Sequence, residues 1–300
     1  MKKVFIAGCG YIGERIARAY RETGAEVTCC VRGDQHAAQL MQDGFTAVAA
    51  PFDSVETLPE LNLADSILFY LVPPPGGGIR DSRAENFLAR LSGTGVPAQI
   101  IYLSATSVYG DSGGATVTEK SPAEPDSAMG KRRLNAEALF QAYGAAHDVP
   151  VVILRVSGIY GPGRLPLMQI SQGQPLLREE ESGPSNRIHA DDLTTVCLAA
   201  AERCSTSAIF NVSDGQPSSM TTYFNACADA LGFPRQPQVT LEEARQVMSP
   251  LMLSYVSQSR IIDNRRMLEE LKVELRYENL SQGLAASLPT VETGGAGHRS

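Results

Sequence analysis

KVFIAGCGYIGERIARAY, residues Lys3 to Tyr20, places a short β-forming run directly before a glycine-rich turn and an amphipathic helix. Val4, Phe5, Ile6 and Ala7 read as a buried strand, while Ile12, Ile16, Ala19 and Tyr20 fall on one helical face and Glu14, Arg15, Arg18 and Arg21 on the other. The spacing Gly8-Cys9-Gly10-Tyr11-Ile12-Gly13 between them is the dinucleotide fingerprint. Gly8 makes the tight turn, Gly10 lets a pyrophosphate approach the backbone, and Gly13 lets the helix pack closely on the strand. The helix start adds free N–H groups and a partial positive charge. Gly8, Gly10, Tyr11, Ile12 and Gly13 are therefore candidate cofactor-binding residues. The spacing alone is common; its strand-before, helix-after context gives it weight.

The second strand, Glu26–Val31, ends at Arg32-Gly33. An NAD-binding chain places an acid there to hold the adenosine ribose hydroxyls. Arg32 stands in its place, and a guanidinium suits a 2′-phosphate, so NADP is expected over NAD. The alternative is a solvated arginine at a strand end. Thr46–Ala49 reads as a strand, and Asp53 either approaches the adenine or caps a helix at 54–60. Ser66–Val72 is an apolar strand whose last residue, Val72, joins the cofactor-binding candidates. Pro73-Pro74-Pro75-Gly76-Gly77-Gly78 then forms a mobile loop at the carboxyl end of a central strand, either a cover for the cofactor or a surface connection. A helix at Arg83–Leu91 and a strand at Gln99–Leu103 continue the alternation. The expected fold is α/β, a doubly wound parallel sheet (Rossmann) with a smaller α-rich C-terminal substrate domain.

Composition bounds the rest. With 300 residues, 43% of them hydrophobic, the chain can bury a large core. A formal charge of −7 argues against nucleic acid as a partner. The longest apolar run, Ile67–Val72, is too short to span a membrane, and glycines break the N-terminal segment before it can serve as a signal peptide. Six scattered cysteines lack metal-ligand spacing, so no metal is expected and a reducing, cytoplasmic setting follows. Cys9, at a helix start, is either a low-pKa thiol or a small residue tolerated in the loop.

Five stretches carry a resemblance. They are the fingerprint; Tyr102-Leu103-Ser104-Ala105-Thr106-Ser107-Val108-Tyr109-Gly110-Asp111; the helix start Pro125–Leu134; and Leu154–Gly163 followed by Asn186–Leu193. Together the chain resembles the extended short-chain dehydrogenase/reductase family, the NAD(P)-dependent epimerases and dehydratases, to about residue 285. The resemblance implies an NADP-dependent oxidoreductase or epimerase acting on a carbonyl or nucleotide-sugar-like small molecule. It also implies a catalytic Tyr-x-x-x-Lys pair on a helix over the cofactor. Here Met129 and Arg133 occupy those positions. Methionine has no proton to give and arginine stays charged, though Arg133 can still bind ribose or phosphate. Ala105 takes the place of the family's serine or threonine, flanked by Ser104, Thr106 and Ser107; on alternation Ser104 and Thr106 share one side. Tyr109 and Tyr160 sit where the family has packing tyrosines, and His189 reads as a structural histidine or an acid–base group. Lys131-Arg132-Arg133 reads as a solvated helix face with one cofactor contact.

The long helix is expected to reach about Gly144 with Leu134, Ala138, Leu139 and Ala142 inward. The cofactor domain is assigned to 1–155 and 187–213, the substrate part to 156–186 and 214–288, and a disordered tail to 289–300. Leu165–Gln174 reads as a short helix, Ser218 as a helix cap, and Thr240-Leu241-Glu242-Glu243 as a capping box. Arg260, Asn264, Arg265 and Arg266 either meet an anionic substrate or line a helix. A homodimer is open. The other functional class is an NADP(H)-binding sensor that kept the site and lost turnover.

Overall fold

Seven strands built from β-branched and aromatic residues pair in parallel throughout. They are β1 (Lys3–Ala7), β2 (Glu26–Val31), β3 (Thr46–Ala49), β4 (Ser66–Tyr70), β5 (Gln99–Ala105), β6 (Val151–Val156) and β7 (Ala208–Val212), in the spatial order β7-β6-β5-β4-β1-β2-β3. The order reverses between β1 and β4, which opens a crevice at their carboxyl ends. The computed structural model describes residues 1–91, 95–249, 252, 253, 256 and 258–288; the tail expected at 289–300 lies outside the described residues.

Helices cover both faces, so the sheet is doubly wound. On one face α1 (Tyr11–Glu22), α2 (Asp34–Gln42) and a later helix, Ala190–Arg203, bury Ile16, Leu40 and Val196 against Ile6, Phe69 and Ile101. On the other, α3 (Ser82–Leu91) and α4 (Ala128–His147) bury Phe87 and Phe140 against Tyr70 and Tyr102. The rings of Tyr70 and Phe140 lie 4.7 Å apart, centroid to centroid. No described helix is long and apolar enough to cross a membrane.

The inward face of α4 differs from the expected one. Ala136, Glu137, Phe140, Tyr143 and Gly144 are buried, while Ala138 and Ala142 are exposed and Leu134 and Leu139 half-buried. The pattern misled because a carboxylate, Glu137, lies on the core side and the small alanines face water. The helix runs on to His147 and stops at Asp148, which takes the left-handed conformation. At the other end Ser127 caps it, accepting from the Gly130 N–H. A Cβ at Gly130 would stand 2.4 Å from the Ser107 carbonyl, so only glycine brings α4 this close to the 3₁₀ turn Thr106–Tyr109.

Three further expectations are corrected. Residues 54–60 form turns, held by Thr57 Oγ1 donating to the Pro51 and Ser54 carbonyls, and Asp53 caps nothing because Arg83 claims its carboxylate. The short helix is only Leu167–Ser171, since Pro166 occupies its N-cap. The helix α5 (Ala190–Arg203) is followed by α6 (Met220–Leu231), whose cap is Ser219; Ser218 instead accepts from Arg187. The capping box at Thr240 and Glu243 is present, with both hydrogen bonds made.

Beyond the sheet, Tyr160, Ile170, Leu176, Tyr223, Phe224 and Leu284 form a separate apolar cluster. Met267, Leu271 and Val273 pack instead into the core of the sheet. A strap, Ile261–Ile262, pairs in parallel with Thr116–Val117, and Ser259 N–H donates to Asp111.

Candidate active site

Two cavities lie along the carboxyl edge, about 200 Å³ and 400 Å³, and share Gly8, Gly10 and Pro73 in their walls. Gly8 has φ of +83°, and a Cβ there would stand 2.8 Å from the Val72 backbone nitrogen, so the turn requires glycine. A Cβ on Gly10 would meet nothing within 4 Å, which leaves the backbone open to a ligand.

The smaller cavity is lined by Cys9, Arg32, His36, Phe52, Val72 and Arg83. Arg32 is exposed, and its guanidinium makes no ion pair or hydrogen bond among the described residues. His36 lies beside it, its Nε2 3.0 Å from Glu14 Oε1. Asp53 does not line the cavity; its carboxylate takes a 2.6 Å hydrogen bond from Arg83, which also donates to the Pro73 carbonyl. Phe52 supplies the wall there. Cys9 is fully buried, and a hydrogen bond with Cys29 together with burial pushes its thiol far up, so it is a packed side chain and not a thiolate.

The larger cavity is lined by Tyr11, Ser104, Ala105, Arg133, Ser157 and Arg164, among others. Arg133 reaches it from α4 and donates to the Leu103 carbonyl at 2.8 Å. Met129, one turn earlier and 39% exposed, stands outside the lining. The helix begins at Ala128, so Met129 sits in its first turn while Arg133 stands over β5. Thr106 opens the 3₁₀ turn and also stays outside the lining. Ser104 lines the cavity, yet its hydroxyl donates to Glu137 Oε1 at 2.6 Å. Glu137 in turn receives both Nε and Nη2 of Arg155, at 3.1 and 2.7 Å. This buried pair under the cavity was not seen in the sequence. Its available signal was position: Glu137 follows Arg133 by one turn of the same helix.

The remaining acid–base candidates are committed elsewhere. His189 caps α5, its Nδ1 accepting from the Asp191 N–H, which puts its own hydrogen on Nε2 facing Ser287 Oγ at 3.3 Å. Burial holds it below the ordinary imidazole value, against the pull of Asp191 and Asp192. Tyr109 donates to Asn211, and burial raises both Tyr109 and Tyr160. Arg132, expected to be solvated, instead donates to the Gly77 and Gly78 carbonyls at 3.2 and 2.7 Å, tethering the proline–glycine loop to α4. The polar residues near the strap, Arg260, Asn264, Arg265 and Arg266, serve the structure and do not line this cavity. Arg260 donates to the Gly110 carbonyl, Asn264 to that of Ser213, Arg265 pairs with Asp263, and Arg266 with Glu270. Among the described residues no group of three or more His, Cys, Asp or Glu could hold a metal.

Sheet order, glycine turn and edge cavities together define a Rossmann-type α/β protein. Residues 84–213 match the model of the NAD dependent epimerase/dehydratase family. It is 26% identical to Protein YeeZ of Escherichia coli (strain K12) over 92% of this chain and 97% of that protein. A functionally unknown conserved protein from Silicibacter pomeroyi DSS superposes with a TM-score of 0.80 at 28% identity, covering 95% of this chain and 98% of that one. The fold is also that of UDP-glucuronic acid 4-epimerase from Bacillus cereus in complex with NAD, with a TM-score of 0.73 at 17% identity over 95% and 97% of the two chains.

Proposed function

We propose that the chain is an NADP-dependent oxidoreductase of the epimerase/dehydratase kind, acting on a carbonyl or nucleotide-sugar-like small molecule. The observation that carries this reading is the pair of cavities joined at Gly8, Gly10 and Pro73. Their geometry suits an extended dinucleotide, with adenosine in the smaller cavity and nicotinamide in the larger. Arg32, unpaired among the described residues and at the end of β2, would meet a 2′-phosphate, with His36 next to it. Arg133 would hold the nicotinamide ribose in place of the family's lysine. The bound nicotinamide supplies hydride exchange; the chain orients it and the substrate. The Bacillus cereus epimerase structure, which holds NAD on the same fold, supports a nicotinamide cofactor here.

The sensor reading keeps a place because of one observation: His189, Tyr109 and Tyr160 are packed or hydrogen-bonded away from the cavity, and Met129 has no proton to give. One experiment separates the two. Purified protein is titrated with NADPH by fluorescence, then incubated with NADPH and a panel of ketones, aldehydes and nucleotide sugars. Binding with consumption of NADPH supports the oxidoreductase. Binding without consumption across the panel supports the sensor, and absence of binding overturns both.

A further inference from the structure

The larger cavity contains a polar provision that the reading above leaves unused. Ser157 follows β6, and its backbone N–H is fixed to the Val212 carbonyl at 3.0 Å. Ser157 lines the cavity, the residue is only 7% exposed, and its buried hydroxyl has no hydrogen-bond partner among the described residues. Burying an unpartnered hydroxyl costs free energy, so a native structure keeps one where something else completes it. Arg164 closes the turn that follows, its N–H donating to the Gly161 carbonyl. Its guanidinium lies 4.6 Å from the centroid of the Tyr11 ring, and Tyr11 is itself locked by its hydroxyl donating to Pro162. Arg15 shares that ring at 4.0 Å but is spent on Asp191 and the Tyr11 carbonyl. Arg164 makes no ion pair or side-chain hydrogen bond among the described residues. A guanidinium stacked on an aromatic face keeps its N–H fork free for a bidentate oxygen acceptor. Arg133 lines the same cavity, and among the described residues no carboxylate does.

We propose that Arg164 and Ser157 form an anion site in the larger cavity that takes a phosphate or carboxylate oxygen group of the bound ligand. The inference rests on the dinucleotide reading for its setting. Two sources share the chemistry: the pyrophosphate of the dinucleotide, which would lie at the start of α1 beside Tyr11, and an acidic group on the substrate.

The test uses wild type, Arg164→Gln and Ser157→Ala, with three calorimetric titrations: NADPH into the free protein, inorganic pyrophosphate into the free protein, and inorganic phosphate into the NADP-saturated protein. If the dinucleotide is the source, Arg164→Gln weakens NADPH and pyrophosphate about tenfold or more and leaves phosphate binding to the loaded protein unchanged. If the substrate is the source, NADPH is unaffected and phosphate binding to the loaded protein is lost. Ser157→Ala raises the melting temperature of the free protein while weakening the same ligand, a pairing that a merely structural hydroxyl would not produce. A wild type that ignores NADPH but binds pyrophosphate through Arg164 sinks the dinucleotide reading and leaves the anion site standing. Equal binding of every probe by wild type and Arg164→Gln overturns the site, and a lowered melting temperature in Ser157→Ala removes the serine from it.

Discussion

The two cavities at the sheet edge share a glycine wall and differ in almost everything else. On the side proposed for adenosine the determinants are local and self-sufficient: a glycine turn, Arg32, unpaired among the described residues, and His36 four residues further on. On the side proposed for the reaction they come from β5, α4 and the segment after β6, and they are held by a buried ion pair. A binding half built from backbone geometry tolerates change around it. A half built from long-range side-chain contacts does not, and of Met129 and Arg133 only Arg133 lines it.

The largest effect should follow from breaking the support of the reaction side. Glu137→Ala strands Arg155, whose side chain is only 6% exposed, and leaves Ser104 without its acceptor. Losing one partner of such a pair costs about 3–5 kcal/mol, read as a fall in the urea midpoint. A midpoint within error of wild type would show that the pair carries no weight. Next comes the chemistry. Met129→Tyr with Arg133→Lys should raise NADPH-dependent carbonyl reduction by up to about a hundred-fold, because general acid–base help is worth that much when positioned. Since Met129 stands outside the lining, the tyrosine must reach inward with its longer side chain. Brisk turnover by wild type, unchanged in Met129→Ala, would place the acid elsewhere.

On the adenosine side, Arg32→Asp should flatten or reverse a preference for NADPH over NADH, a change of about tenfold or 1.4 kcal/mol in competitive titrations. Equal affinities in wild type would end the 2′-phosphate assignment. A smaller effect concerns His189, which faces Asp191, Asp192, Arg15, Arg276 and the rings of Tyr160 and Tyr277. Its folded pKa is depressed, so the unfolded chain takes up the proton first as pH falls below about 6.5. Stability is therefore full above that pH and declines on acidification. His189→Asn keeps an N-cap acceptor for the Asp191 N–H, and the pH dependence of its urea midpoint between about pH 7 and 5 should be shallower than in wild type. The smallest effect is a null one. Cys9 should resist thiol reagents in the native protein at pH 8, and Cys9→Ala should bind NADPH within a few-fold of wild type; rapid labelling would show a reactive thiol after all.

Legibility followed the same division. Lys3 to Tyr20 declared its strand, turn and helix because glycine geometry and helical periodicity act over a few residues. The seven strands and their parallel, doubly wound arrangement were similarly readable from apolar runs alternating with helices, whereas their order came only with the structure. What failed was anything decided by partners far along the chain. Asp53 read as an adenine contact or a cap until Arg83, 30 residues on, took its carboxylate. The inward face of α4 was misread because Glu137 is buried only through Arg155. Ser157 and Arg164 carried no pattern of their own, since a free hydroxyl and an unpaired guanidinium are properties of their surroundings.

The strap at Ile261–Ile262 has a temporal consequence. Its contacts with the loop after β5 join groups as much as 150 residues apart, as between Arg260 and Gly110. On a ribosome, every strand through β7 is made before the strap emerges, so the nascent chain holds a finished glycine turn while the loop after β5 is still unanchored. Contacts of such separation form late because their loop-closure entropy must be overcome first. The glycine-turn edge of the sheet thus matures before the strap does, and a ligand arriving early would meet it before the loop after β5 is anchored.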